Sequence, residues 1–433
     1  MRIDLLELVN FKAFEQFRLE LHPEFNLIVG VNGTGKTSLL DALSIAAGSW
    51  FLGLRGYDTR HISHDEARLA MHDFEAEISF EAQYPVRVRA QGQVHGQSID
   101  WERSLESPAG KTHFKHASRI KALASECDQA VRDGREVTLP LISYYGTGRL
   151  WREPRAESEL KQSMRALGIT RNANRHNSRL DGYLHSVTPR LSTRELVTWM
   201  SKQSWASYQQ GKEAPIFTAV KRAMVGCLEG AEKLYFDPKR GEIVVVMAQQ
   251  RGTQPFDNLS DGQRCMLAMV GDIAQKAVRL NPHFGDRVLE QTPGVVLIDE
   301  LDLHLHPRWQ RRVIADLRRT FPRIQFICTT HSPQLIGQAK ADEVILLGGG
   351  APSHPGQTFG MDSNWVLRHV MDSTDRDAGV GAALDALFEL IEQGEVEQAQ
   401  TAIDHLRASI GEHPELVEAQ ALVTRYTRWP ESL

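Results

Sequence analysis

The sequence predicts an α/β protein with a buried parallel sheet and a phosphate-binding loop at one strand end. Three observations carry that prediction. Short apolar runs recur at residues 25–29, 294–298 and 324–329, the pattern of strands buried on both faces. A glycine-rich segment, Gly30-Val-Asn32-Gly33-Thr34-Gly35-Lys36-Thr37-Ser38, follows the first run directly. Residues 37–47 then have helical spacing, with Leu39, Leu40, Leu43 and Ile45 available to pack.

That strand, loop and helix form the context a nucleotide phosphate requires. Glycines at 30, 33 and 35 let backbone N–H groups turn inward without Cβ clashes. The helix start adds partial positive charge beneath the phosphates. Lys36 is placed to reach the β- and γ-oxygens, and the Thr37 hydroxyl to hold Mg²⁺. ATP is the expected ligand, with residues 30 and 32–38 as its cradle. A chance glycine-rich turn would lack both flanks.

The run at 294–298 ends in Asp299-Glu300. Asp299 is expected to bind Mg²⁺ through water. Glu300, one residue on, should point to the opposite side of the pleat, placed to orient or deprotonate an attacking water. The third run delivers Thr330-His331, whose imidazole can donate a hydrogen bond to a γ-phosphate. His304 and His306, in Leu-His-Leu-His-Pro, raise a zinc reading. No Cys or further His stands at ligand spacing, so they are read as shaping the loop after Glu300.

The remaining elements fall around this core. Residues 2–9 read as a strand, and 74–105 alternate apolar and polar as antiparallel strands beside the nucleotide sheet. A charged helix is expected at 112–136 and a strand at 137–145. Residues 150–233 read mainly as helices, with turns at 172–178 and Pro189; no heptad is sustained, which predicts a compact subdomain. Residues 234–237 and 242–248 suit a hairpin around Lys239-Arg-Gly241. In Leu259-Ser260-Asp261-Gly262-Gln263-Arg264, Ser260 is an expected N-cap of a helix at 265–280, and Gly262 opens backbone N–H groups there, which makes an anion site. After 344–347 and a Gly348-Gly-Gly350 turn, helices at 380–393, 395–410 and 413–427 should pack through Leu384, Leu387, Phe388, Ile391, Ile403, Leu406 and Ile410. The expected domains are an ATPase lobe with β subdomain (1–150), a helical insert and hairpin (151–254), a second ATPase lobe (255–350) and an acidic helical region (351–433).

Composition narrows the class. At 433 residues, 41% hydrophobic and 24% charged, the chain has ordinary globular character. No apolar run approaches the ~20 residues a membrane span needs, and the N-terminus opens in strand pattern without a signal peptide. Four cysteines without pair spacing fit reduced thiols and a cytoplasmic location. The net charge of −5 gives no global sign of nucleic-acid binding. Residues 149–179, however, carry eight Arg or Lys against three Glu. That segment reads either as a track for a phosphate backbone or as a solvated helical face. The acidic C-terminal helices read equally as a cap on the core or as a dock for a partner.

With these residues in view, the chain resembles an ABC-type ATPase head of the SMC/RecF-like branch. More narrowly it is similar to prokaryotic AAA-type ATP-binding proteins. The resemblance lies in Asp299-Glu-Leu-Asp-Leu-His-Leu-His-Pro307, Phe326-Ile-Cys-Thr-Thr-His331-Ser-Pro, Val9-Asn-Phe-Lys-Ala-Phe14 and Tyr144-Tyr-Gly-Thr-Gly-Arg149. It implies a homodimer with ATP sandwiched between copies, open to higher assembly. Ser260, Asp261, Gly262 and Gln263 would meet the γ-phosphate on the opposite subunit, and Asp302 would reach across the interface. Asp261 stands where transporters carry glycine, and no glutamine-bearing loop is evident. Septu-like and retron-associated ATPases of this kind work in anti-phage defence with a separate nuclease or toxin effector, whereas RecF/SMC-like relatives act directly on DNA in repair. The insert and acidic tail favour the first implication.

Overall fold

A computed structural model describes residues 1–57, 59–74, 77–148, 178–188, 193–248, 252–348, 350–374 and 376–428. Most of the basic segment, including Arg149, most of the turn expected at 172–178, and Pro189 lie outside the described residues. The chain divides into two compact units, Met1–Ser363 and Asn364–Leu433.

The first unit is built on a five-stranded parallel sheet. Its strands are β3 (Phe25–Gly30), β8 (Leu141–Tyr145), β12 (Gly294–Ile298), β13 (Ile324–Thr330) and β14 (Val344–Leu347). They lie in the order β14-β3-β13-β12-β8, and every pairing is parallel. The residues of β8, β12 and β13 are all buried, as their unbroken apolar runs require. Strand β8 begins later than the sequence predicts, after Pro140, which has no N–H to give to a ladder. The Leu141 N–H donates instead to Pro293 O at 2.8 Å, which sets the edge of the sheet.

The N-terminal strand belongs elsewhere. β1 (Arg2–Phe11), β2 (Phe14–Glu20), β6 (Val86–Val94) and β7 (Gln97–Leu105) form an antiparallel sheet in the order β2-β1-β6-β7. The Gln325 side chain joins it to β13, accepting from Ile3 N at 2.9 Å and donating to Ile3 O at 2.8 Å. β4 (Leu69–Phe74) and β5 (Glu77–Ala82) make a separate hairpin. The expected hairpin of β9 (Ala231–Asp237) and β10 (Glu242–Met247) is present and gains a third strand, β11 (Gly252–Pro255). Gly241, with φ 71°, closes its turn, and Asp237 Oδ1 accepts from Lys239 N at 2.9 Å.

Helices cover the parallel sheet. Lys36–Gly48 leaves β3 and is almost wholly buried, while Asp261–Leu280 packs near β8. The charged helix expected at 112–136 spans Ser118–Arg132, and the described insert contains Thr193–Gln210 and Pro215–Gly226. Residues 351–363 stay with this unit: Leu346 and Ser353 exchange backbone hydrogen bonds, and the Thr358 hydroxyl donates to Ala339 O at 2.7 Å.

In the second unit, Ala378–Glu392, Val396–Ile410 and Pro414–Arg428 are helices. Leu384, Leu387, Ile391, Ile403, Leu406 and Leu416 are buried together, with Phe388 and Ile410 partly buried at the margin. Asp377 caps the first helix, and Arg376 pairs with Glu415 at 2.7 Å.

Candidate active site

Parallel pairing places every loop of interest at one edge of the sheet. Val29 of β3 stands opposite Thr330 of β13, and Ile298 of β12 lies level with Cys328 of β13 and Tyr145 of β8. The phosphate loop, Asp299-Glu300 and His331 therefore all leave from the carboxyl ends of the strands, where open α/β sheets bind ligands.

The loop needs its glycines for two different reasons. Gly33 and Gly35 have φ of 87° and 93°, a region that favours glycine. Gly30 needs space, because a Cβ there would lie 2.6 Å from Leu347 O. Gly35 is also crowded, with the Phe14 ring 2.6 Å from such a Cβ. The Thr34 hydroxyl donates to Val31 O at 2.9 Å. Lys36 is buried, and its ammonium donates to Gly30 O at 2.8 Å and Val31 O at 3.0 Å. Burial lowers its pKa below the ordinary lysine value, and Asp299 and Glu300 oppose that shift.

Thr37 and Asp299 meet directly: the hydroxyl donates to Asp299 Oδ2 at 3.0 Å. The Thr329 hydroxyl donates to Asp299 Oδ1 at 2.6 Å and accepts from Glu300 N at 2.8 Å. Two hard oxygen donors side by side at the helix start are a set that suits Mg²⁺. Glu300 differs from the pleat expectation. β12 ends at Ile298 and Glu300 has φ 50°, so a turn, not strand alternation, sets its direction. A non-glycine residue in this region costs about 1–2 kcal/mol, and such strain gathers at functional sites. His331 is half-buried and follows Thr330 at the level of Gly30. Asp302 is held within its own chain, accepting from the Thr330 hydroxyl at 2.5 Å.

Ser260 caps helix Asp261–Leu280 as expected, in a reciprocal box with Gln263: Ser260 N donates to Gln263 Oε1 at 3.0 Å, and Gln263 N to Ser260 Oγ at 3.4 Å. Asp261 pairs with Arg264. Gly262 lies against the loop after Glu300, where a Cβ would come within 2.3 Å of His304 O. His304 itself has φ 63°, and His306 caps the short helix that begins at Pro307. Among the described residues, no group of three or more His, Cys, Asp or Glu could hold a metal ion.

Sequence reasoning missed two polar clusters, although Lys12, Tyr144 and Tyr145 among their residues lie in quoted motifs. On helix Lys36–Gly48, Asp41 is 2.5 Å from Lys12 Nζ and 3.0 Å from Arg60 Nη1, and accepts from the Tyr144 hydroxyl at 3.3 Å. Burial, reinforced by Asp41, raises the Tyr144 pKa far above the usual phenol range. On the other face of β8, the Tyr145 hydroxyl donates to Asp272 Oδ2 at 2.6 Å. Lys276 lies 2.8 Å from that oxygen and donates to Ser143 Oγ at 3.1 Å. Strand β8 thus has a polar contact to the phosphate-loop helix on one face and to the helix headed by Ser260 on the other.

Strand order and loop placement define the class, a P-loop ATPase core. The chain belongs to the family described as "AAA domain, putative AbiEii toxin, Type IV TA system", which matches residues 25–337. Among similar proteins, the Retron Ec83 probable ATPase of Escherichia coli is 35% identical over 40% of this chain and 32% of its own length. Septu protein PtuA of Bacillus mycoides (strain KBAB4) is 23% identical over 80% of this chain and 40% of its own. This chain therefore spans less than half the length of either relative. A solved SMC head bound to the C-winged helix domain of ScpA matches with TM-score 0.47 and 17% identity, covering 82% of this chain and 97% of that one.

Proposed function

We propose that the chain binds and hydrolyses ATP with Mg²⁺, closes on a second copy of itself when ATP is bound, and thereby controls a separate nuclease or toxin effector in anti-phage defence. The observation that carries the nucleotide part is the Thr37–Asp299 pair beside Lys36. Lys36 and the backbone of residues 30–38 would hold the phosphates, and Thr37 and Asp299 the Mg²⁺, which supplies charge neutralisation at the phosphates when bound. Glu300 would orient or deprotonate water, and His331 would donate to the γ-phosphate. Ser260 N and Gln263 N donate within their own capping box, so the Asp261 and Gly262 N–H groups of the first turn would be the donors to a phosphate on a second copy. The effector part rests on the likeness to retron and Septu proteins.

The test is ATP binding, ATP turnover and sedimentation of the native protein, Lys36→Ala and Glu300→Gln. Lys36→Ala should lose nucleotide binding. Glu300→Gln should keep it, stop turnover and sediment as a dimer with ATP. Full hydrolysis by either variant would sink the mechanism. For the effector, a tagged Glu300→Gln protein should retain a stoichiometric partner with nuclease or toxin motifs from its native host. DNA alone, surviving a salt wash only with ATP, would replace that reading with direct action on DNA.

A further inference from the structure

We infer that the outer face of helix Thr193–Gln210 is a binding site for single-stranded nucleic acid, with bases stacking on Trp205 and Tyr208. The inference stands apart from the ATPase reading and uses none of its residues. Trp205 and Tyr208 are 61% and 79% exposed, yet their rings stack on each other, with centroids 5.9 Å apart and planes 25° from parallel. Two large aromatics left this open side by side on one helix make a stacking platform, and every base offers a π-face.

The helix says which partner. At 100° per residue, Arg194, Thr198, Lys202, Trp205, Tyr208 and Gln209 fall in one stripe about 20 Å long, and all are exposed. Lys212, also exposed, follows just past the helix end. The opposite side carries the buried Leu196, Trp199 and Met200. Trp199 meets Phe217 edge-on at 5.8 Å, and Leu196 packs over Gly271 of helix Asp261–Leu280. The stripe thus sets Arg194 and Lys202 on one side of the two rings and Lys212 just past the other, and none of its named residues is the aliphatic side chain an apolar protein groove would bury. The carboxylates at its margin have contacts of their own: Glu195 lies 3.6 Å from His185 Nε2, and Glu213 pairs with Lys221. Phosphates would follow the cations while bases stack on the rings.

The test is fluorescence anisotropy of labelled oligo-dT and oligo-rU of about 20 nucleotides, longer than the roughly 4–16 that one single-strand site covers. The full chain should bind at least one of them, more weakly as salt rises, and which binds tighter identifies DNA or RNA as the source. Trp205→Ala with Tyr208→Ala should weaken binding roughly ten-fold or more, and Trp205→Phe with Tyr208→Phe should recover most of it. Lys202→Glu with Lys212→Glu should weaken binding and flatten the salt dependence. All these side chains are exposed, so an unchanged Tm checks that the variants fold. Absence of binding by the native chain, equal binding by the aromatic-to-alanine variant, or duplex binding as tight as single-strand binding overturns the inference. So does a loss of self-association in that variant with oligonucleotide binding intact, which would assign the face to protein contact.

Discussion

The Thr37 hydroxyl donates a 3.0 Å hydrogen bond to Asp299 Oδ2, joining the helix that follows β3 to the end of β12, two strands that are not neighbours in the sheet. β13 lies between β3 and β12, and its Thr329 holds the other carboxylate oxygen at 2.6 Å. Asp299→Asn keeps the shape and removes the charge. With Mg²⁺ held by these two groups, ATP affinity in its presence should fall roughly 10–100-fold, the scale seen when metal-site partners are lost. ATP affinity in EDTA should stay near that of the native protein. Calorimetric titration in both conditions checks this, and an unchanged Mg²⁺ dependence would remove Asp299 from the metal site.

Thr329→Val tests the residue that positions the pair. Its hydroxyl both donates to Asp299 and accepts from Glu300 N in a buried setting. Valine is near in shape but removes both hydrogen bonds, each worth about 0.5–1.5 kcal/mol and more where a charged group takes part. The expected outcome is a lower Tm together with slower ATP turnover. Loss of stability alone would make Thr329 a purely structural residue.

Much of this site was legible because its chemistry is local in sequence. The phosphate loop, Asp299-Glu300 and Thr330-His331 each follow an apolar run that can only be a buried strand, and parallel pairing aligns their ends. What could not be read depends on contacts distant along the chain. Thr329 looks like one more β-branched strand residue until Asp299 is placed beside it. Asp41 looks like a helix-surface acid until Lys12, Arg60 and Tyr144 surround it. The pleat argument does not reach Glu300, because the strand stops at Ile298 and the turn that follows, with Glu300 at φ 50°, obeys no two-residue period. The sheet that β1 joins was also beyond a reading of local pattern, since its partner β6 lies far along the chain.

Gly262→Ala separates two reasons for a glycine at that position. A Cβ would stand 2.3 Å from His304 O, a backbone atom held in a loop where His304 has φ 63°. Overpacking of this kind costs about 1–3 kcal/mol. The variant should therefore lose stability even without nucleotide, measured by urea unfolding. A native midpoint, with only ATP-dependent association impaired, would mean that the glycine serves backbone access at the helix start and not packing.

Thiol chemistry should be silent in the folded state. All four cysteines are buried, and burial pushes the Cys127 and Cys227 thiols up to about 11. A raised thiol pKa leaves little thiolate, the reactive form, at neutral pH. A chromogenic disulfide reagent at pH 7–8 should find almost no reactive thiol in the native protein and all of them after denaturation. For Cys127 and Cys227, reactivity in the folded protein should climb only as pH approaches the raised pKa. Rapid native labelling of either residue at pH 7 would show that its surroundings open.

The two compact units predict a clean truncation. Every residue placed at the candidate nucleotide site lies within Met1–Ser363, and the buried Leu384, Leu387, Ile403 and Leu416 form a core internal to Asn364–Leu433. A chain ending at Ser363 should retain nucleotide affinity within about two-fold of the full protein, since it keeps every residue placed at that site. The isolated C-terminal unit should show a helical circular dichroism spectrum and a cooperative thermal transition, with Arg376–Glu415 and the three-helix core as its own constraints. If the shortened chain kept its fold but lost nucleotide binding, the C-terminal helices would have a direct part in forming the site.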